Sequence, residues 1–218
     1  MEKQTRDKTA RGFTLLELLI VIAIIAILSV ILVLVLNPAE TLRKSRDAQR
    51  ISDLSTVKTA LGLYLTSTSS PYLGSASSNA RCSGGATPTI FYSVSGITDT
   101  AAGGFNNISS SSATAVDSTG WIPVNLASLT GGSPLSNFPL DPVNSVTTGS
   151  STAGALTNSA QAYRYACKSS PLTFEINATL ESTAYTSEDN KLTKDGGNNS
   201  NLYEVGTDLN ILPATDDF

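Results

Sequence analysis

The sequence predicts an α+β protein in which a long N-terminal helix packs on a small antiparallel β-sheet. From Phe13 to Leu36 the chain runs for 24 residues with Glu17 as the only charge. As a helix, such a run is long enough to cross a bilayer core of about 30 Å. Apolar residues then recur at helical spacing over 37–66, and two runs of alternating polar and apolar residues follow in 162–218. The first pattern predicts an amphipathic helix, and the second predicts strands with one buried face.

Residues 37–66 are expected to continue the apolar helix of residues 13–36 as one spine. Asn37-Pro38 marks a local bend, because proline removes a backbone donor. Beyond it the apolar positions follow spacings of three and four, which place them on one face of a helix. These positions are Ile51, Leu54, Val57, Leu61 and Tyr64.

Residues 67–161 form a Ser/Thr/Gly-rich region with few charges, which predicts variable surface loops. The apolar runs at 89–92 and 121–124 are expected to be short strands or loop anchors. Asn107 and Asn177 each begin an N-x-Ser/Thr triplet, the acceptor pattern for N-glycosylation.

Residues 162–218 are predicted to form the antiparallel sheet and an acidic C-terminal loop. Tyr163, Tyr165 and Cys167 alternate with smaller or polar residues, and Phe174 and Ile176 do so after a short turn. Two such runs joined by a turn predict a hairpin with one buried face.

The composition excludes several classes of function. The chain has no histidine, which removes His-based triads and Cys/His zinc sites. Its formal net charge of −4 argues against nucleic-acid binding through bulk charge. We therefore expect a protein that is not an enzyme and has no nucleic-acid partner.

The stretch Arg11-Gly12-Phe13-Thr14-Leu15-Leu16-Glu17, with the apolar run behind it, resembles the class III signal of type IV pilins and type II secretion pseudopilins. The resemblance implies that a membrane prepilin peptidase cleaves between Gly12 and Phe13, so that residues 1–12 are a leader. It also implies N-methylation of Phe13. In this family Glu17 would pair with the new amino terminus of a neighbouring subunit.

The same resemblance gives the expected location and partners. Basic residues before the apolar run keep the N-terminus in the cytoplasm and send the head outward. The chain is thus expected as a single-pass inner-membrane protein in contact with lipid and an assembly platform. After assembly it would lie in a periplasmic or extracellular homo-oligomeric filament. An ordinary cleaved secretory signal and a plain membrane anchor are the alternatives.

The two cysteines, Cys82 and Cys167, lie outside the membrane in this topology. An oxidising compartment favours a disulfide between them. Two free buried cysteines are the alternative.

Acidic residues dominate the C-terminal region, and Asp-Gly-Gly followed by Asp resembles the calcium loop of major type II pseudopilins. Carboxylate oxygens near glycines are ligands that Ca²⁺ prefers. This predicts one calcium ion, with a solvated acidic surface as the alternative. The expected ligands are Asp189, Asp195, Glu204 and Asp208.

A second charged group is basic and lies on the predicted amphipathic helix. The expected role is a solvated helix face, and the alternatives are contact with lipid headgroups or a salt bridge to another subunit. Its members are Arg43, Lys44, Arg46 and Arg50.

Together these features predict a structural subunit that self-assembles into a pilus-like or secretion-type filament after leader cleavage. The Asp-Gly-Gly loop favours the secretion branch slightly. A membrane-anchored extracellular binding domain that never polymerises is the alternative.

Overall fold

The computed structural model describes residues 12–85, 88–94, 106–109, 114–145 and 157–215, with only the backbone for 34 and for 106–109. The chain divides into two compact units that meet between Thr41 and Leu42. Each unit is described separately below.

The first unit is dominated by helix α1, Leu15–Leu36. Its large apolar side chains are exposed all around the helix, and α1 is apolar and long enough to cross a membrane. A helix that is apolar on every side suits lipid or a helical bundle. The predicted apolar helix is therefore confirmed, with its first helical residue at Leu15.

Asn37 ends α1 and begins helix α2, Pro38–Ser67. It adopts the left-handed conformation at φ 38°, a frequent way to end a helix. Its Oδ1 also accepts a hydrogen bond from the backbone N of Glu40 at 3.4 Å, as an N-cap does. Pro38 then occupies the first helical position, where its missing N–H leaves no hydrogen bond unmade.

In the second unit, the part of α2 from Leu42 onward packs on a β-sheet. The apolar stripe predicted from the sequence is the packed face: Leu54, Val57, Leu61 and Tyr64 are buried, and Ile51 is half-buried. The predicted α+β arrangement of a helix on a small sheet is confirmed.

The sheet has five strands in the order β2-β1-β3-β4-β5. Neighbouring strands are antiparallel except at the β1–β2 edge, where the pairing is parallel. The predicted hairpin is β3–β4, and the predicted run at 89–92 is β1. The strands are β1 Thr89–Tyr92, β2 Asn106–Ser109, β3 Arg164–Ser169, β4 Leu172–Ala178 and β5 Tyr203–Gly206.

One sheet face packs against α2 and forms the main hydrophobic core. Tyr165, Phe174 and Ile176 contribute from the strands. Trp121 fills the same core and donates its indole N–H to the carbonyl of Pro139 at 3.0 Å. The run at 121–124 is thus a buried loop anchor, one of its two predicted forms.

The opposite face, called here the outer face, is covered as well, so the expectation of a single buried face is wrong. Ile211 and Leu212 near the C-terminus pack there with Tyr92 and Ala166. The polar residues that alternate along the strands are therefore buried too: Arg164, Glu175, Asn177 and Glu204 are at most 1% exposed. Period-two alternation alone does not reveal that a later segment covers the polar side.

Candidate processing and assembly site

The site predicted at the N-terminus begins with the cap of α1. Thr14 has extended backbone, φ −82° and ψ 150°, and its Oγ1 accepts a hydrogen bond from the backbone N of Glu17 at 3.2 Å. A threonine N-cap followed by glutamate at the third helical position is the capping-box pattern. Thr14 therefore caps the helix through the backbone of Glu17.

Gly12 and Phe13 lie ahead of the helix, in non-helical backbone. The Phe13 side chain is 83% exposed. A Cβ placed on Gly12 would meet no other atom within 4 Å, so the described part of the chain does not itself require glycine there. Both residues are exposed among the described residues. Residues 1–11 of the predicted leader lie outside the described residues.

Glu17 lies in the first turn of α1 and is exposed. Acidic side chains are favourable in this position because of the positive end of the helix dipole. The side chains that follow it along α1, from residue 18 to residue 28, are leucine, isoleucine, valine and alanine. The arrangement is one carboxylate near the start of a helix whose only other polar side chain is Ser29.

Residues 7–33 match a family model described as the prokaryotic N-terminal methylation motif. This motif is the class III prepilin signal of type IV pilin and pseudopilin families. The match begins in the predicted leader and ends inside α1, so it covers Gly12, Phe13 and Glu17 and does not reach the head. No curated protein and no solved structure matches the chain.

The main polar site in the second unit is a buried ion cluster around Arg50, called here the Arg50 cluster. The guanidinium binds Asp141 with two hydrogen bonds of 2.7 and 3.0 Å. It also contacts Asp47 at 2.8 Å, Glu181 at 2.6 Å and the Gln161 side-chain oxygen at 2.6 Å. Burial alone would lower the pKa of Arg50, but Asp141, Glu181 and Asp47 together raise it.

The Arg50 cluster also holds backbone groups from two loops. Asp47 accepts hydrogen bonds from the backbone N atoms of Glu181 and Ser182, at 3.0 and 2.7 Å. Asp141 accepts from the backbone N of Val143 at 2.8 Å. The cluster therefore fastens α2 to the loop after β4 and to the loop that contains Asp141.

Four basic residues on α2 were predicted to form a solvated helix face, and this expectation is wrong at two of them. The four residues are Arg43, Lys44, Arg46 and Arg50. Arg50 is fully buried, and Arg46 forms an ion pair with Glu181. This pairing, and then Arg50, lowers the pKa of Glu181. Arg43 and Lys44 remain on the exposed side of α2. Asp141 and Glu181, which bind Arg50, lie far along the chain from α2, so the local sequence did not reveal them.

The two cysteines lie where a disulfide joins them. Cys82 Sγ and Cys167 Sγ are 2.07 Å apart, and both residues are fully buried. The bond links the segment after α2 to strand β3. Ser83 beside it donates its backbone N–H to the Cys167 carbonyl at 2.6 Å.

The four predicted calcium ligands are not gathered into one site. Asp189 pairs with Lys191 and Lys194, which lower its pKa to about 2. Asp208 pairs with Lys168 at 3.1 Å. Within the described ranges, no group of three or more acidic, histidine or cysteine side chains is placed to hold a metal ion. These residues do not fit a calcium site.

The remaining two of the four, Asp195 and Glu204, are neighbours held by backbone donors. Asp195 accepts from the backbone N of Gly197 at 3.0 Å and of Glu204 at 2.8 Å. These bonds close the Asp-Gly-Gly turn without an ion. Glu204 itself faces a residue that sequence reasoning did not single out, Glu175 on the adjacent strand.

The glycosylation triplet at Asn177 is also placed by the sheet. Asn177 lies in β4 and is fully buried on the outer face. It is not available to a glycosyltransferase in the folded head. The side chain of Asn107 lies outside the described residues.

Proposed function

We propose that this protein is a structural subunit that self-assembles into a type IV pilus-like or type II secretion-type filament after removal of its leader. The observation that carries the proposal is the match of residues 7–33 to the methylation motif, which ends in a helix exposed on all sides. The function is assembly rather than catalysis.

The exposed surface of α1 supplies the energetic argument. Each fully exposed leucine, isoleucine or valine side chain gains roughly 1.5–3 kcal/mol when it leaves water. In the membrane, lipid tails cover this surface. A subunit that leaves the membrane must cover it in another way, and equivalent helices of other subunits offer a matching apolar surface.

Glu17 makes the contact between subunits specific. A carboxylate inside a hydrocarbon span is expensive, about 2.5–3.5 kcal/mol at the centre by insertion scales, and needs a partner. Cleavage before Phe13 creates a cationic amine four residues upstream of Glu17. In a bundle of staggered helices the amine of one subunit meets the Glu17 of another, in a medium of low dielectric where the attraction is strong. Pairing of these charges sets the register of the subunits.

The processing partners follow from the same signal: a prepilin peptidase that cuts after Gly12 and methylates Phe13, and an inner-membrane assembly platform. The slight preference for the secretion branch depended on the calcium loop. Since the acidic residues do not fit a calcium site, the proposal covers both branches.

The test is assembly in a host that supplies the peptidase and platform, with Glu17→Ala compared with wild type. Electron microscopy of material sheared from cells should show filaments for wild type and few for the variant, although intact mass shows both chains cleaved before Phe13. Glu17→Asp, one methylene shorter, should give an intermediate yield. A normal yield from Glu17→Ala would remove the assembly role, and absence of wild-type filaments would favour the anchored binding domain.

A further inference from the structure

Two buried carboxyl groups meet on the outer face of the sheet. Glu175 on β4 is fully buried and Glu204 on β5 is 1% exposed. The strand register pairs Glu175 with Gly206 and Asn177 with Glu204. The two glutamates are therefore diagonal neighbours on one face, within reach of each other.

Each carboxyl group uses one oxygen to hold backbone from another segment. Glu175 Oε2 accepts from the backbone N atoms of Ile211 and Leu212, at 2.7 and 2.9 Å. Glu204 Oε2 accepts from the backbone N of Asn199 at 3.0 Å. Glu175 thereby ties the C-terminal segment to the middle of the sheet.

The second oxygen of each carboxyl group has no donor among the described residues. Glu175 Oε1 and Glu204 Oε1 are both buried without a hydrogen-bond partner. The two carboxyl groups are close enough to act on each other's titration and to form a hydrogen bond if one of them carries a proton. If both were ionised, two acceptors would face each other in a dry environment, which is strongly unfavourable.

The other charged groups on this face are engaged elsewhere. Arg164 on β3 donates to the Asn177 side chain at 3.4 Å and to the Thr157 carbonyl at 2.7 Å. Lys168 pairs with Asp208, and Asp195 accepts from backbone N atoms. Residues 209–215, which cover the face, carry no charge, and β1 contributes Tyr92.

We propose that Glu175 and Glu204 share one proton, so that a carboxylic acid hydrogen-bonded to a carboxylate fastens the C-terminal segment to the sheet. The proton sits between Glu175 Oε1 and Glu204 Oε1, which supplies the missing donor. Calcium fits less well, because it takes six to eight oxygen ligands and, among the described residues, this pair offers only two unpartnered carboxylate oxygens.

The electrostatic environment agrees with this assignment. Burial, and then the contact with Glu204, raises the pKa of Glu175 to about 9. Burial also raises the pKa of Glu204. In the unfolded chain a glutamate titrates near pH ~4.3. Because the folded pKa is the higher one, the stabilisation is complete below the unfolded pKa and is lost as the pH rises toward 9.

The experiment compares the full chain in detergent micelles with Glu175→Gln from pH 5 to pH 9. Trp121, the only tryptophan, is buried in the head and reports thermal unfolding by fluorescence. Glutamine imitates the protonated acid: its oxygen accepts from Ile211 and Leu212, and its NH₂ donates to Glu204. The variant should match the wild-type Tm within about 2 °C at pH 5 and exceed it at pH 9. Glu188→Gln, which changes an exposed acid, is the control and should leave the Tm unchanged at both pH 5 and pH 9.

A double variant separates proton sharing from simple loss of charge. Glu204→Gln alone should behave like Glu175→Gln, because one amide still donates to the other carboxylate. With both residues changed, two NH₂ groups face each other, and the Tm should fall below that of either single variant at every pH. The wild type should also show the infrared band of a protonated carboxyl group at pH 7, and both single variants should lose it.

Two outcomes would overturn the proposal. A Tm difference between wild type and Glu175→Gln that does not change with pH would mean that no proton is shared. The other outcome is a wild-type Tm that rises with Ca²⁺ and falls with EDTA. If both single variants lose this response, a cation bridges the pair.

Discussion

At the scale of single residues, the cap of α1 explains how one short stretch serves two purposes. Thr14 accepts the hydrogen bond that starts the helix, so Gly12 and Phe13 remain outside it. The same helix start places Glu17 in the first turn. The peptide bond proposed for cleavage and the Glu17 carboxylate thus lie within a stretch of six residues.

Gly12→Leu should leave the leader attached. The described chain leaves open space at this position, so the substitution disturbs no packing and acts only on recognition by the peptidase. Intact mass of membrane-extracted protein should show the full chain for the variant and a chain starting at Phe13 for wild type. Gly62→Leu, at another glycine with open space, should be processed normally. Normal cleavage of Gly12→Leu would contradict the class III interpretation.

At the scale of elements, α2 and the sheet are held together by links between distant parts of the sequence. Helix periodicity, the hairpin and the N-terminal signal were predictable because each depends on neighbouring residues. The Arg50 cluster was not, since Asp141 lies 91 residues from Arg50 and a loop brings it there. The buried Glu175 was missed for a similar reason: residues 211–212, far along the chain, cover its side of the sheet.

Arg50→Met should destabilise the head by about 3–5 kcal/mol, because it leaves the buried carboxylates of Asp47 and Asp141 without their cation. Denaturant unfolding of the full chain in detergent, followed by Trp121 fluorescence, measures this. Lys58→Met removes an exposed cation from the same helix and should change stability by less than about 0.5 kcal/mol. Equal effects of the two substitutions would show that the Arg50 cluster contributes nothing beyond charge.

Loss of the disulfide should also weaken the head. Cys82 and Cys167 are separated by 85 positions, and chain entropy gives about 4–5 kcal/mol for closing such a loop in the unfolded state. Cys82→Ser with Cys167→Ser should therefore unfold at lower denaturant concentration than the oxidised wild type. Peptide mapping without reductant should recover the two cysteines joined. Free thiols that react in the native protein would contradict the linkage.

At the scale of the whole molecule, two compact units divide the work that the sequence suggests. The first presents an apolar helix for membrane or filament, and the second is a folded head with its own core. The motif match covers the first unit alone, so it supports a pilin-like subunit and says nothing about the purpose of the head.

The position of the Arg50 cluster has a mechanical consequence. It lies on the first turns of α2 within the head, next in sequence to the unit that the proposed filament would hold. A force that pulls on the head through the chain at this end of α2 acts first on the buried ion pairs of the Arg50 cluster, and it is distributed over several of them. Such a group yields only when its bonds break together, whereas an apolar contact can be peeled away side chain by side chain. The head would then withstand traction before its core begins to open.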